Sequence, residues 1–356
     1  MQLFWELLQV AMGTRNCLTR VPTRVEWLET YKIASKQAVI GVLISGIEKL
    51  PSEQKPCQEL LLQWIGDGML IESQNRKLDK AAEIITGIFK KGGLRSCVLK
   101  GQGIARLYPQ PERRQPGDID LWVEGGREKI LKFLKDSYLC IEHVVIHHVD
   151  ARIIDGVNTE IHFIPVYACN PILHYKLQKF FRRCSNAQFS NFEKDLGFSY
   201  PTLSFNAVYI LAHIYMHFLY EGIGLRQIMD YYYVLKNIGE DERRRSATDI
   251  KEAGLKKFAG AVMFVLKQVC GMDETLFVVE PDNRRGALLL EEIMRSGNFG
   301  KYDNRLSGRD ENNLISFNLI ALKRQMRFFK YYPMDVLSIP FFKVGHWGWR
   351  IWKGYL

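Results

Sequence analysis

The sequence has no Cys-x-x-Cys pair; its seven cysteines are scattered singly along 356 residues. That argues against a disulfide framework and a cysteine-built structural zinc site, and it implies a reducing, cytoplasmic setting. Long apolar runs are missing too, so no segment is expected to span a bilayer. The apolar start, Met1 to Met12, is interrupted by Glu6 and has no cationic stretch before it. It reads as a short amphipathic helix and not as a signal peptide. There is no internal repeat and no low-complexity segment, which sets aside solenoids and disordered tracts.

What is present is ordinary in bulk. A hydrophobic content of 47% with 25% charged residues suits a soluble globular protein. The length is enough for two or three domains and a sizeable core. The formal net charge of +10 fits either a lysine-rich surface or an anionic partner: a nucleotide, a nucleic acid or a membrane surface.

Periodicity divides the chain. From Trp27 to Lys49 apolar residues fall at helical spacing, through Leu28, Tyr31, Ala34, Ala38 and Val42. A longer helix is expected over 59–91, with Leu62, Ile65, Met69, Leu78, Ala82, Ile85 and Phe89 on one side and Gly92-Gly93 ending it. Residues 1–92 therefore read as a helical lobe. Strands follow at Leu94–Leu99 and Asp118–Val123, separated by a short helix from Gly101 and a Pro- and Arg-rich loop, Tyr108 to Pro116. A helix is expected over 127–135 and a strand over 139–149. Asp155-Gly156-Val157-Asn158 then makes a hairpin turn between Ala151–Ile154 and Thr159–Phe163. Residues 93–200 form a mixed core on this reading. Residues 201–356 are a helical C-terminal region, with helices near 171–183, 205–220 (capped by Ser204), 225–236, 243–252, 256–269 and 314–332. A polar loop is expected over 297–313. The fold class is α+β: a mixed sheet flanked by helical regions on both sides in sequence.

The chemistry concentrates in two runs, Lys100-Gly101-Gln102-Gly103 and Gly117-Asp118-Ile119-Asp120-Leu121-Trp122-Val123. Alternation along a strand puts Asp118, Asp120 and Trp122 on one face and Ile119, Leu121 and Val123 on the other. Two carboxylates side by side repel unless a cation lies between them, and an all-oxygen set suits Mg²⁺ or Mn²⁺. On a later strand Glu160 and His162 share one face, Ile161 and Phe163 the other. The three acids are expected to converge. Without metal they should raise one another's proton affinity.

These residues carry a resemblance. Lys100-Gly101, the Gly-Asp-Ile-Asp-Leu run and the later isolated acid resemble the nucleotidyltransferase family of the DNA polymerase β superfamily. The likeness is closest to its branch of uncharacterised bacterial nucleotidyltransferases. It covers residues 94–163, and the downstream His and Gly-Leu-Arg segment typical of the branch stands at His213 to Asp230. One departure is plain: the residue after Gly101 is Gln102, where the superfamily has Gly or Ser. The resemblance implies that the glycine turn, with Gly101 and Gly103, holds a nucleoside triphosphate such as ATP. It implies that Asp118 and Asp120 ligate two metal ions, and that Glu160 completes the first site and takes the acceptor's proton. The acceptor hydroxyl, on a small molecule, a sugar, a protein or a tRNA end, is encoded in no legible feature.

Other residues keep two readings each. Lys100 is a phosphate contact or a solvated lysine. Arg113 or Arg114 clamps phosphate or lies in solvent. Arg226 reaches the nucleotide or pairs with Asp230 one helical turn away. His213 and His217 share a helix face, where packing is the more ordinary role than zinc binding. The aromatic and basic tail, residues 341–356, packs on the body or lies weakly on an anionic membrane. Two other functions stay open: a metal-dependent glycosyltransferase using Asp-x-Asp, and an inactive binding protein that keeps the fold.

Overall fold

The computed structural model describes residues 1–306 and 314–355. Four helices come first: α1 (Gln2–Met12), α2 (Arg24–Gln37), α3 (Ile40–Lys49) and α4 (Gln58–Lys91). Thr23 caps α2 reciprocally with Glu26, satisfying two otherwise orphaned N–H groups. The helical stretch expected from Trp27 to Lys49 is broken at Ala38, which adopts φ 56°. The break lets α3 fold back onto α1. They meet closely at Gly46, where a Cβ would stand 2.9 Å from the Leu7 carbonyl oxygen.

The buried face of α4 also differs from the expected one in its first half. Leu62, Ile65 and Met69 are exposed, while Leu60, Trp64 and Ile71 are buried. Apolar residues lie on two faces there, and close packing decides between them: a Cβ on Gly68 would meet Ile44 at 2.5 Å. The second half, with Leu78, Ala82, Ile85 and Phe89, is buried against the sheet as the spacing predicts.

The central elements are β1 (Ser96–Val98), α5 (Gln102–Ala105), β2 (Ile119–Val123), α6 (Gly126–Asp136), β3 (Cys140–Val144), β4 (His148–Ile154) and β5 (Val157–His162). They form one sheet in the order β1-β2-β5-β4-β3. Only β2 and β5 run parallel, joined by a crossover that contains α6 and the β3–β4 hairpin. The strand expected over 139–149 is thus two antiparallel strands with a turn at 145–147; its apolar and β-branched content hides the turn. Alternation sends Ile119, Leu121 and Ile161 into a core with α4 and α6. Asp120 and Trp122 face the other way, where Trp122 packs on Phe189 and Phe205.

The rest is helical: α7 (Pro171–Ser190), α8 (Leu203–Tyr220), α9 (Leu225–Asn237), α10 (Glu240–Glu252), α11 (Lys256–Val265), α12 (Asn283–Ser296), α13 (Leu314–Met326) and α14 (Pro333–Lys353). Strands β6 (Phe192–Glu193) and β7 (Phe198–Ser199) pair separately. Thr202, not Ser204, caps α8. The polar stretch expected over 297–313 holds two short 3₁₀ turns, Asn298–Gly300 and Asn304–Leu306; residues 307–313 lie outside the described residues. Helices α1, α3, α8, α9 and α11 share one apolar core. Helix α14 turns Phe342 onto Tyr167 and Trp349 under Arg127, but leaves Phe341, Trp347 and Trp352 exposed. Among the described residues no helix is long and apolar enough to cross a membrane.

Candidate active site

The site is built where β1 ends. Leu99 continues the pairing by donating its N–H to the Asp120 carbonyl at 2.9 Å. The chain then turns at Gly101, whose φ 60° and ψ −111° are open to glycine but costly for a side chain. Gly103 is required for a different reason: a Cβ there would lie 2.7 Å from the Val98 carbonyl oxygen and 3.1 Å from the Tyr200 Cβ. The helix expected from this turn is a single turn, α5. Its first residue, Gln102, is buried and points away from the acids. It donates to Asp79 Oδ1 at 2.6 Å and to the Asn75 carbonyl at 3.3 Å. The departure at Gln102 therefore anchors the turn to α4. Gly103→Val is expected to cost about 1–3 kcal/mol by overpacking, read as a lower urea midpoint with an unchanged slope.

The loop before β2 is held from three sides. Asn75 Nδ2 donates to the Glu112 and Arg114 carbonyls at 2.6 and 2.7 Å. Arg113 is engaged by Glu48 and Glu72. Arg114 forms a buried fork with Asp230, Nε to Oδ1 and Nη2 to Oδ2 both at 2.8 Å, and the Tyr108 hydroxyl donates to the same carboxylate at 2.7 Å. The intrahelical pair between Arg226 and Asp230 is therefore not formed. Residues one turn apart on a helix face are only candidates, and the more rigid bidentate geometry of Arg114 takes the carboxylate. Arg226 instead donates to the Pro116 carbonyl at 3.0 Å and stacks over Phe299. It thereby grips the peptide just ahead of Asp118.

The acids converge. Asp120 and Glu160 are directly opposed in the parallel β2–β5 ladder, and an oxygen from each of Asp118, Asp120 and Glu160 lies within 4.8 Å of the others. Asp120 is fully buried. Its Oδ1 meets Lys100 Nζ at 3.0 Å and His162 Nε2 at 3.1 Å. Its Oδ2 is buried without a hydrogen-bond partner. An orphaned carboxylate oxygen beside two further carboxylates fits a divalent cation of the Mg²⁺ or Mn²⁺ kind.

Charge balance without metal differs from the sequence expectation. Burial tends to raise the Glu160 carboxyl, but the His162 hydrogen bond and Lys100 outweigh it and hold the group below its ordinary value. Burial likewise opposes the charge on His162, yet Asp120 and Glu160 push its pKa up to about 9. Lys100 is raised despite burial, by Asp120, Asp118 and Glu160. For Glu160 the expected rise is reversed because two basic groups sit among the acids. His213, half-buried at the cleft, is pushed well down by desolvation and the neighbouring Lys100. It stands 3.5 Å from Lys100 Nζ, and His217 pairs with Glu221.

Two spaces adjoin the trio. Lys100, Asp118 and Glu160 open onto a cleft of ≈ 620 Å³, which also presents His147, His213 and Phe342 and is large enough for a small-molecule ligand. Gly101, Arg114 and Arg226 line a slot behind Asp118 of ≈ 20 Å³, room for little more than one water. Lys100 is thus neither solvated nor remote. Arg114 and Arg226 lie one step back from the open cleft. His148, His162, Asn75 and Asp79 were not singled out as site residues in the sequence. The Glu160/His162 alternation was a signal for the second of them, and a buried Asn on an apolar helix face was one for the third.

A family model described as an uncharacterised nucleotidyltransferase matches residues 23–271. No curated protein and no solved structure matches the chain.

Proposed function

The chain belongs to this uncharacterised nucleotidyltransferase family, and on that premise we propose that it moves a nucleoside monophosphate from a triphosphate to an acceptor hydroxyl, releasing pyrophosphate. The observation that carries the reading is the meeting of Asp118, Asp120 and Glu160, with Asp120 Oδ2 left for a cation. Divalent ions held there would stabilise charge on the attacking and leaving oxygens.

The chain's own residues supply the rest. Lys100, kept charged among the acids, gives a fixed positive group at the mouth of the cleft for phosphate oxygens. The Gly101 turn lets backbone approach a phosphate without a side chain between. In the transfer, an acceptor oxygen bonds to the α-phosphorus as the bridge to the β-phosphate breaks. Pyrophosphate leaves, and the hydroxyl proton passes to a carboxylate; we assign that role to Glu160, which like Asp118 faces the large cleft. A glycosyltransferase of the Asp-x-Asp kind is disfavoured, because helices α1–α4, and not a strand–helix nucleotide-binding half, precede β1.

The test is incubation of the protein with each nucleoside triphosphate, Mg²⁺ and a cell extract, with pyrophosphate as readout. Release with one triphosphate supports transfer; failure to bind any triphosphate with Mg²⁺ supports the inactive binding protein instead. Arg226→Lys keeps the charge but loses the planar guanidinium that stacks on Phe299 and donates through Nη1 to the Pro116 carbonyl. It is expected to weaken triphosphate binding several-fold and to lower the melting temperature modestly, checked by calorimetry and a thermal melt on the same sample.

A further inference from the structure

The face of the sheet that carries the acids continues past them. Across β4 and β5, His148 is opposed to His162 and Asp150 to Glu160. Residues two apart on a strand share a face, so two imidazoles and two carboxylates form a block beside Asp120. Within it, His148 Nδ1 lies 3.7 Å and His162 Nε2 3.2 Å from Glu160 Oε2. Donor atoms from these three residues all fall within 4.8 Å of one another.

Two details distinguish this group from a satisfied polar cluster. His148 Nε2 is 3.2 Å from Asp150 Oδ1. A carboxylate on one ring nitrogen fixes the tautomer and leaves the other as a lone-pair donor. That other nitrogen, Nδ1, is buried and has no hydrogen-bond partner. A purely structural role accounts for His162, which bridges Asp120 and Glu160, but leaves His148 Nδ1 unsatisfied at a cost.

We propose that His148, Glu160 and His162 hold a divalent transition-metal ion of the Zn²⁺ or Co²⁺ class, at a position that shares Glu160 with the oxygen-only trio. Two imidazoles and one carboxylate select such ions, whereas Mg²⁺ prefers oxygen alone. The site rests on the nucleotidyl-transfer reading only for the identity of its neighbour. With both positions filled, Glu160 links a hard ion on the Asp118 side to a softer ion on the His148 side. Asp150 acts as a positioning residue through the His148 ring.

The test uses Co²⁺ as probe, added to the full-length protein in saturating Mg²⁺ and followed by its visible absorption and by calorimetry. The wild type is expected to bind one Co²⁺ that Mg²⁺ does not displace. His148→Gln and His162→Gln should each weaken it by at least about tenfold, whereas Asp118→Asn should retain it. Electron paramagnetic resonance of the Co²⁺-loaded wild type in saturating Mg²⁺ gives a check that needs no variant: nitrogen coupling is expected. Co²⁺ affinity unchanged in both histidine variants, or a Co²⁺ spectrum without nitrogen coupling, overturns the site. Mg²⁺-dependent triphosphate binding by the wild type, measured alongside, reports separately on the nucleotidyl-transfer reading.

Discussion

Asp118→Asn is expected to abolish pyrophosphate release while leaving the protein folded. The loss should be on the order of a thousandfold or more, since several kcal/mol of charge stabilisation disappear and each 1.4 kcal/mol is about tenfold. Asp118 is partly exposed and precedes β2, so its neutral isostere disturbs little packing. Asp120→Asn should be as severe for activity but not as clean. Asp120 is the buried partner of both Lys100 and His162, and removing its charge leaves two basic groups short of compensation. A buried ion pair broken on one side typically costs about 3–5 kcal/mol. Glu160→Gln should reduce release strongly but less completely, because it keeps a donor oxygen. Radiolabelled pyrophosphate release and a thermal melt on each variant separate the two effects. Full activity in Asp118→Asn would remove that residue from the chemistry.

The largest effect on stability is expected from Asp230→Ala. The Arg114–Asp230 fork is buried on both sides, and Tyr108 shares the carboxylate. Asp230 balances the charge of this region: the Arg114 guanidinium is raised by Asp230 against the pull of burial. Removing Asp230 strands that charge, at about 3–5 kcal/mol, and frees the loop that ends in Asp118. A melting temperature lower by roughly 4–7 °C is expected. The double variant Asp230→Leu, Arg114→Met should recover much of it, because an apolar pair of similar volume avoids the desolvation penalty. If the double variant melts no higher than Asp230→Ala, the loss stems from packing of Tyr108 and not from the stranded charge.

How much was legible in the sequence follows from which interactions are local. The Lys-Gly turn, the Gly-Asp-Ile-Asp run and the alternation around Glu160 lie within single strands or turns, and the parallel β2–β5 register brings them together without further information. The α+β class and most helices followed from periodicity for the same reason. Long-range choices were hidden. Asp230 has an arginine one turn away in sequence and another 116 residues away, and only the fold shows that the distant one takes it. The face of α4 around Trp64 depended on how Ile44 packs on Gly68. His148 carried no signal, since its meaning comes from standing opposite His162 across a hairpin. The protonation pattern was also beyond reach, because it required knowing that Lys100 and His162 lie among the acids.

The three carboxylates, as a metal-bound nucleotide site, are the centre of the proposed activity. The most direct measurement is a calorimetric titration of triphosphate in the presence and absence of Mg²⁺, on the wild type and on the Asp118→Asn, Asp120→Asn double variant. Binding by the wild type is expected to require Mg²⁺ and to be lost in a double variant whose circular dichroism shows it folded. Metal-dependent triphosphate binding that is equally tight in the folded double variant would contradict that expectation.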